Sequence, residues 1–412
     1  MMAETPDVLI IGGGPAGLAC AAELGRRGVR DIVLVEREKT LGGVLRQCIH
    51  DGFGLLRFGE SLAGPEYAAR FVAEVEKMRI TCLTDTMVTS LGSDRTVRTA
   101  GPDGVRVFRP RAVVLAMGCR ERTRGALAIP GERPAGVFTA GVAQSYMNLY
   151  NRMPAREAVI LGSGDIGLIM ARRLTLEGAH VKGVYEILPY PSGLARNIEQ
   201  CLHDYDIPLY LSHTVTSIHG DSRLTGVTVA QVDENRKPIP GTEEEISCDT
   251  LILSVGLIPE NELTREAGAV LGRTGGPVTS EFGETSVPGI FAAGNVLAVH
   301  DLVDRVSEEA ERTAAGVCRY LAGDLPESGI VLETGEGIGQ ATPGRFSGGE
   351  KLTLSFRVSR PYGKCRAVLE ADGKTIAKKT MPRALPAEKV FMEVQPLTVP
   401  KPQSCVLRVE EL

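Results

Sequence analysis

The chain has 412 residues, 43% hydrophobic and 24% charged, which is enough apolar material for several packed cores and too much for a disordered polymer. A formal net charge of −5 argues against nucleic-acid binding, which normally shows a basic surplus. The 48 glycines, beside 5% aromatics and no tryptophan, show no period of three; this excludes collagen and points to the tight turns and close backbone approaches of nucleotide-binding α/β folds.

Residues 1–7 carry neither the basic start nor the apolar stretch of a signal peptide, and no apolar run reaches membrane-spanning length, so a reducing, cytoplasmic compartment is expected. From Asp7 the chain reads as an apolar β-branched run, a glycine turn over Gly12–Gly17, an alanine-rich helix over 18–25 and a second apolar run over Asp31–Glu36. These make one β-α-β unit. Residues 111–118 form a short buried-strand pattern ending in Gly118. The opening grammar then returns: a strand from Glu157, a turn over Gly162–Gly167, a helix over 168–178 and a strand over Val181–Glu186. Such an internal repeat, about 150 residues apart, sets the domain count. Residues 250–256 echo 111–118, Thr285–Asn295 supplies a returning strand, and Val303–Tyr320 has helical spacing. From Ser328 the style changes to alternating strands, such as 352–358, 366–370 and 390–394, between Pro/Gly turns. The expected fold class is therefore α/β: two Rossmann-like dinucleotide-binding domains, one over 1–120 and 253–327 split by the other over 121–252. A small all-β, sandwich-like domain over 328–412 follows.

In a G-x-G-x-x-G turn the first glycine permits the tight turn, the second lets backbone approach a pyrophosphate, and the third lets helix and strand pack closely. Gly12, Gly14 and Gly17 fill these places in the first copy, and Gly162, Gly164 and Gly167 in the second. An acid that bonds a ribose hydroxyl belongs about 20 residues further on. Glu36 lies 19 residues beyond Gly17, and Glu186 lies 19 beyond Gly167. The bland alternative, a glycine-rich turn with no ligand, fits one copy far better than two with a single spacing. A carboxylate at Glu186 repels the 2′-phosphate of NADP, and no arginine follows before Arg196, so NAD(H) is favoured over NADP(H) there.

The nine cysteines contain no C-x-x-C pair, which argues against a zinc ribbon, an iron–sulfur run or a thioredoxin-type dithiol. Most are expected to act as small buried apolar residues, and no metal site is expected.

The stretches 43–50, 118–125, 162–173, 255–263 and 300–304 carry a resemblance from residue 5 to about 325. The chain resembles the two-dinucleotide-binding flavoproteins typified by thioredoxin reductase and NADH oxidase. Within them it is most similar to the flavoprotein encoded beside glycerol-3-phosphate dehydrogenase, whose relatives include the FAD subunits of opine oxidase and hydrogen cyanide synthase. The resemblance implies FAD in the first unit and the nicotinamide cofactor in the second. Gly12, Gly14 and Gly17, with Pro15 and Ala16, would hold the FAD pyrophosphate, Glu36 its ribose and the Val88 backbone its adenine. Gly294 and Asn295 would meet the ribityl chain, and Asp301, Leu302 and Val303 would bring a helix start to the flavin's pyrimidine edge or form an ordinary cap. Arg37, Gly43, Ala116 and Gly118 complete the implied FAD set. Gly162, Gly164, Asp165, Ile166, Gly167, Glu186 and Gly256 make up the NAD set.

Two departures from the family pattern matter. Asn295 stands where aspartate is usual, and no paired cysteines follow Gly42-Gly43, where Cys48 is single. Cys48 with His50 is then either a flavin-proximal thiol and its partner or a pair that packs near the cofactor. Cys119 carries the same two readings, and Arg120, Arg122 and Arg124 either steer an acidic partner or solvate a linker. The activity implied is hydride exchange between NAD(H) and FAD. Electrons would pass to or from a dehydrogenase subunit of glycerol-3-phosphate type or a small cysteine-rich carrier, in a homodimer or hetero-oligomer. The rivals are a stand-alone NADH oxidase or peroxidase using Cys48, and a non-catalytic sensor or assembly subunit that holds FAD structurally.

Overall fold

A computed structural model of the protein describes residues 3–397 and 402–412. The chain divides into two units, Met1–Cys119 with Pro259–Leu412, and Arg120–Ile258.

In the first unit a parallel sheet runs in the order Ile290–Ala292, Ala112–Leu115, Val8–Ile11, Ile32–Val35, Thr81–Leu83. The three central strands are buried at every position, as strands covered on both faces must be. Alternation decides which face each side chain serves. Val8, Ile10, Ile32, Leu34, Ala112 and Val114 pack on the helices Pro15–Arg26 and Val303–Ala322. Their neighbours Leu9, Ile11, Val33, Val35, Val113 and Leu115 pack with Val88, Leu91, Val97 and Phe108 of the antiparallel meander Met87–Leu91, Val97–Gly101, Gly104–Phe108.

The second unit repeats this plan. Its parallel sheet runs Leu209–Leu211, His180–Glu186, Glu157–Leu161, Thr250–Leu253, Val137–Thr139, with a meander of His213–His219, Gly226–Gln231 and Glu244–Ser247. Ala158, Ile160 and Ile252 face the helix side, while Val159, Leu161, Leu251 and Leu253 face the meander. The repeat in sequence is thus a repeat of fold: two Rossmann-like layers that differ at one edge strand, which comes last in the chain in the first sheet (Ile290–Ala292) and first in the second (Val137–Thr139).

Beyond residue 328, still within the first unit, a five-stranded sheet and a three-stranded sheet close over one core that includes Leu354, Phe356, Cys365, Leu369 and Leu407. This is the expected small sandwich. Glu281 fastens it, Oε2 accepting the Ser328 hydroxyl (2.6 Å) and Oε1 the Ser347 amide (2.7 Å).

Several element boundaries differ from the reading of the sequence, two of them for a visible reason. The returning strand is Ile290–Ala292 rather than Thr285–Asn295, because the Thr285 amide bonds Ile290 O (2.8 Å) and the Ile290 amide bonds Val287 O (3.1 Å), folding 285–290 into a turn. The long helix continues two residues past Tyr320 to Ala322 and stops at Gly323, which takes a left-handed conformation. Among the described residues, no helix is long and apolar enough to cross a membrane, and no group of three or more His, Cys, Asp or Glu side chains is placed to hold a metal ion.

Candidate cofactor sites

The first cradle sits at the carboxyl end of the strand Val8–Ile11. Gly12 turns the chain at φ +108°, and a Cβ there would collide with the Ala116 carbonyl; one on Gly17 would collide with the Gly12 carbonyl. Gly12 answers to the close approach of the neighbouring strand's end, and Gly17 to strand–helix packing. Gly14 is different: the nearest atom to its missing Cβ is Gly43 Cα at 3.9 Å, so its face is open. The helix Pro15–Arg26 begins with no side-chain cap and no acidic residue in its first turn, leaving its positive end to an anion. Glu36, 6% exposed, directly follows the strand Ile32–Val35; Oε2 accepts the Gly13 amide (2.6 Å) and Oε1 the Glu38 amide (2.8 Å).

Gly294 closes the cradle from the returning strand. Its missing Cβ would lie 2.7 Å from Ala16 Cβ, and its amide donates to Glu309 Oε2 (2.8 Å). Asn295 Oδ1 accepts the His300 amide (3.0 Å), and its Nδ2 lies 3.7 Å from Cys119 Sγ. The fold brings these groups together with Ala116, whose amide bonds Ile11 O (2.8 Å), and with Gly118, whose carbonyl accepts the Glu260 amide (3.0 Å). Arg37 is drawn aside by an ion pair with Glu260 at 3.0 Å. Val88 is buried in the meander behind the sheet. The long helix starts at Val303 from Leu302 with no side-chain cap. Asp301 is spent elsewhere, accepting Arg357 Nη2 (3.4 Å) and the Lys389 amide (3.3 Å).

These features fit FAD: an open glycine face, an uncapped helix start and a buried carboxylate that its two amides leave partly unsaturated.

In the second cradle a Cβ on Gly162 would strike the Ser254 carbonyl, and one on Gly167 would lie 2.5 Å from Ser254 Cβ. Asp165 opens the helix Asp165–Leu176, but its Oδ1 is occupied by the Leu194 amide (2.8 Å) and Asn197 Nδ2 (2.7 Å). Ile166 packs against the helix-side core, and the Gly256 carbonyl accepts the Arg122 amide (3.1 Å). Glu186 is 4% exposed. Its Oε2 accepts the Ser163 amide (3.0 Å) and the hydroxyls of Ser163 (2.5 Å) and Ser192 (2.9 Å), while Oε1 accepts the Leu188 amide (3.0 Å). Ser163, Ser192 and Ser254 escape a motif-based reading. Ser163 at least stands inside the G-x-G, whereas the other two reach the site only through the fold.

Cys48 follows the 3-10 turn Gly43–Gln47, is 4% exposed and donates its thiol to Val44 O (3.3 Å). Burial pushes the thiol up to about 12, the opposite of what a nucleophilic thiolate needs. His50 lies against the Phe53 ring, 5.0 Å between centroids. Among the described residues all nine cysteines are thiols, with no disulfide. Arg124 does not wave into solvent; its guanidinium donates to the carbonyls of Ile129 (3.2 Å) and Gly131 (2.8 Å) and closes its own loop.

The family model described as pyridine nucleotide-disulphide oxidoreductase matches residues 6–315. The chain belongs to that family. Members of the pyridine nucleotide-disulphide oxidoreductase family bind FAD and use a pyridine nucleotide. Hydrogen cyanide synthase subunit HcnB of Pseudomonas protegens is 30% identical over 285 residues, 63% of this chain and 58% of that protein. An opine oxidase subunit from Agrobacterium tumefaciens is 26% identical over 312 residues, 70% and 61% of the two chains. The chain therefore spans less than two thirds of either relative. Thioredoxin reductase of Streptomyces clavuligerus is 25% identical over 342 residues, covering 83% of this chain and 99% of that protein. The solved thioredoxin reductase of T. acidophilum shares the fold, with a TM-score of 0.63 at 23% identity over 78% of this chain and 99% of that one.

Proposed function

We propose that the chain binds FAD in the Gly12–Gly17 cradle and NAD(H) in the Gly162–Gly167 cradle, and moves a hydride between nicotinamide and flavin. The observation that carries this reading is the pairing of each glycine turn with its own buried carboxylate, Glu36 on the Gly13 amide and Glu186 on the Ser163 amide. When bound, the flavin supplies the redox chemistry; the protein binds and orients the two cofactors. The backbone at Gly14 and Gly43 and the positive end of the helix Pro15–Arg26 would face the pyrophosphate, Glu36 the ribose, and Gly294 and Asn295 the ribityl chain. The helix start at Leu302–Val303 would favour negative charge on the flavin's pyrimidine edge. Glu186, with no arginine between it and Arg196, supports NADH over NADPH.

A buried, protonated Cys48 and the lack of a C-x-x-C speak against a dithiol relay beside the flavin, which leaves a partner protein, oxygen or a small acceptor for the second half-reaction, and we favour a partner protein. The partner we propose is a dehydrogenase subunit of glycerol-3-phosphate type or a small cysteine-rich carrier. Two of the relatives are named as subunits, one of a synthase and one of an oxidase, which supports a multi-subunit setting.

An anaerobic titration of the purified chain with NADH and then NADPH, followed at the visible flavin band, tests the reading. Bleaching at stoichiometric NADH, with NADPH needed in large excess, is the expected result. A bound flavin that NADH leaves oxidised would overturn hydride transfer in favour of a structural FAD.

A further inference from the structure

Behind Gly294 lies a buried ionic cluster that joins the long helix to the carboxy-terminal sandwich. Glu309 Oε2 holds the Gly294 amide (2.8 Å), while Oε1 lies 3.4 Å from Nε2 of His300, whose side chain is 2% exposed. Lys389, 7% exposed and just before the sandwich strand Val390–Val394, brings Nζ to 3.2 Å from the same Nε2. One ring nitrogen cannot serve both neighbours alike. Carrying hydrogen, it donates to Glu309 and opposes the ammonium; carrying a lone pair, it accepts from Lys389 and opposes the carboxylate. His300 Nδ1 has no hydrogen-bond partner among the described residues, so no contact on the far side of the ring fixes the tautomer.

We propose that Lys389 is a positioning residue for the flavin: through His300 and Glu309 it places a positive charge from the sandwich behind the Gly294 turn and thereby raises the flavin midpoint potential. The inference rests on the FAD reading above and adds a regulator to that site. A hydride brings two electrons and one proton, so reduction leaves one negative charge more in the cradle, which a nearby cation favours. The groups facing Lys389 are His300 and Asp301 from the loop, Glu309 and Arg312 from the long helix, and Arg357 from the strand Leu352–Val358. Burial pushes Lys389 down to about 8; Glu309 and Asp301 oppose the shift, and Arg357 and Arg312 add to it. Its charge is therefore present at neutral pH and lost just above it.

The test is a reference-dye titration of the FAD-loaded full chain from pH 6.5 to 9.5 for wild type, Lys389→Met and Lys389→Arg. At pH 7 the methionine variant should reduce less readily by about tenfold in the two-electron equilibrium constant, a shift of about 30 mV. It should converge on wild type at the alkaline end. Arginine, which keeps its charge, should hold the neutral-pH potential and remove the bend near pH 8. A methionine variant with wild-type potential, or an arginine variant with the wild-type bend, overturns the proposal; the arginine arm decides even if the methionine variant does not fold. A wild-type chain purified without flavin would instead sink the FAD reading and this inference with it.

Discussion

Gly17 and Gly118 are indistinguishable as letters, yet the space around them differs. A Cβ on Gly17 would enter the Gly12 carbonyl, whereas one on Gly118 would meet nothing within 4 Å and suffer only from φ +73°. Gly17→Ala should therefore destabilise by at least the roughly 1–3 kcal/mol of an overpacked core and lose bound flavin. Gly118→Ala should cost about 1–2 kcal/mol and keep it. Thermal unfolding and the flavin-to-protein absorbance ratio measure both. Cys48 illustrates the reverse problem: its place beside a Gly-Gly is plain in the sequence, but the burial that holds its proton is tertiary. Cys48→Ser should leave NADH-driven flavin reduction within about twofold of wild type, since an inert buried thiol has no role in the transfer. A drop of tenfold or more in stopped-flow would restore the thiol to the chemistry.

At the scale of the element, the long helix Val303–Ala322 shows what periodicity can and cannot tell. Its apolar spacing placed it from Val303, with the far end two residues short. The same spacing said nothing of the polar groups it buries: Asp304, Ser307 on Tyr67 Oη (2.8 Å), and Glu309 under Gly294. Burial alone would raise the Glu309 carboxyl, but His300, Lys389 and Arg312 outweigh it and hold the group at about 2. A depressed carboxyl stabilises the fold fully above its unfolded value near 4.5, and that contribution is lost as pH falls through about 2. Between pH 6 and pH 3, wild type should therefore lose more of its stability to urea than Glu309→Gln does. Equal losses in the two proteins would show that the carboxylate is not linked to folding.

For the molecule as a whole, the two Rossmann-like layers were legible because each rests on local signals repeated at one spacing: a β-branched run, a glycine turn, a helix and an acid. The sandwich was legible as strands but not as an attachment. Its hold on Glu281, and the reach of Lys389 to His300, join residues far apart in the chain, which no local pattern encodes. Glu281→Ala removes the acceptor of two bonds and should destabilise by about 1–3 kcal/mol. Hydrogen exchange should rise in residues 328–347 while the strand Val8–Ile11 stays protected; uniform protection would mean the sandwich is held by other contacts.

The two acidic residues at the ends of the cradle strands also differ in how much of their accepting capacity is taken. A carboxylate offers about four lone-pair sites. Glu36 gives two of them to backbone amides, so a ribose can join without dislodging anything. Glu186 has four donors already, three of them on Oε2 and only the Leu188 amide on Oε1, so a ribose approaching Oε2 must trade places with a serine. Such an exchange lowers the net gain on binding and the barrier to leaving. One dinucleotide would thus be a lodger that stays through many turnovers, and the other a visitor that comes and goes with each.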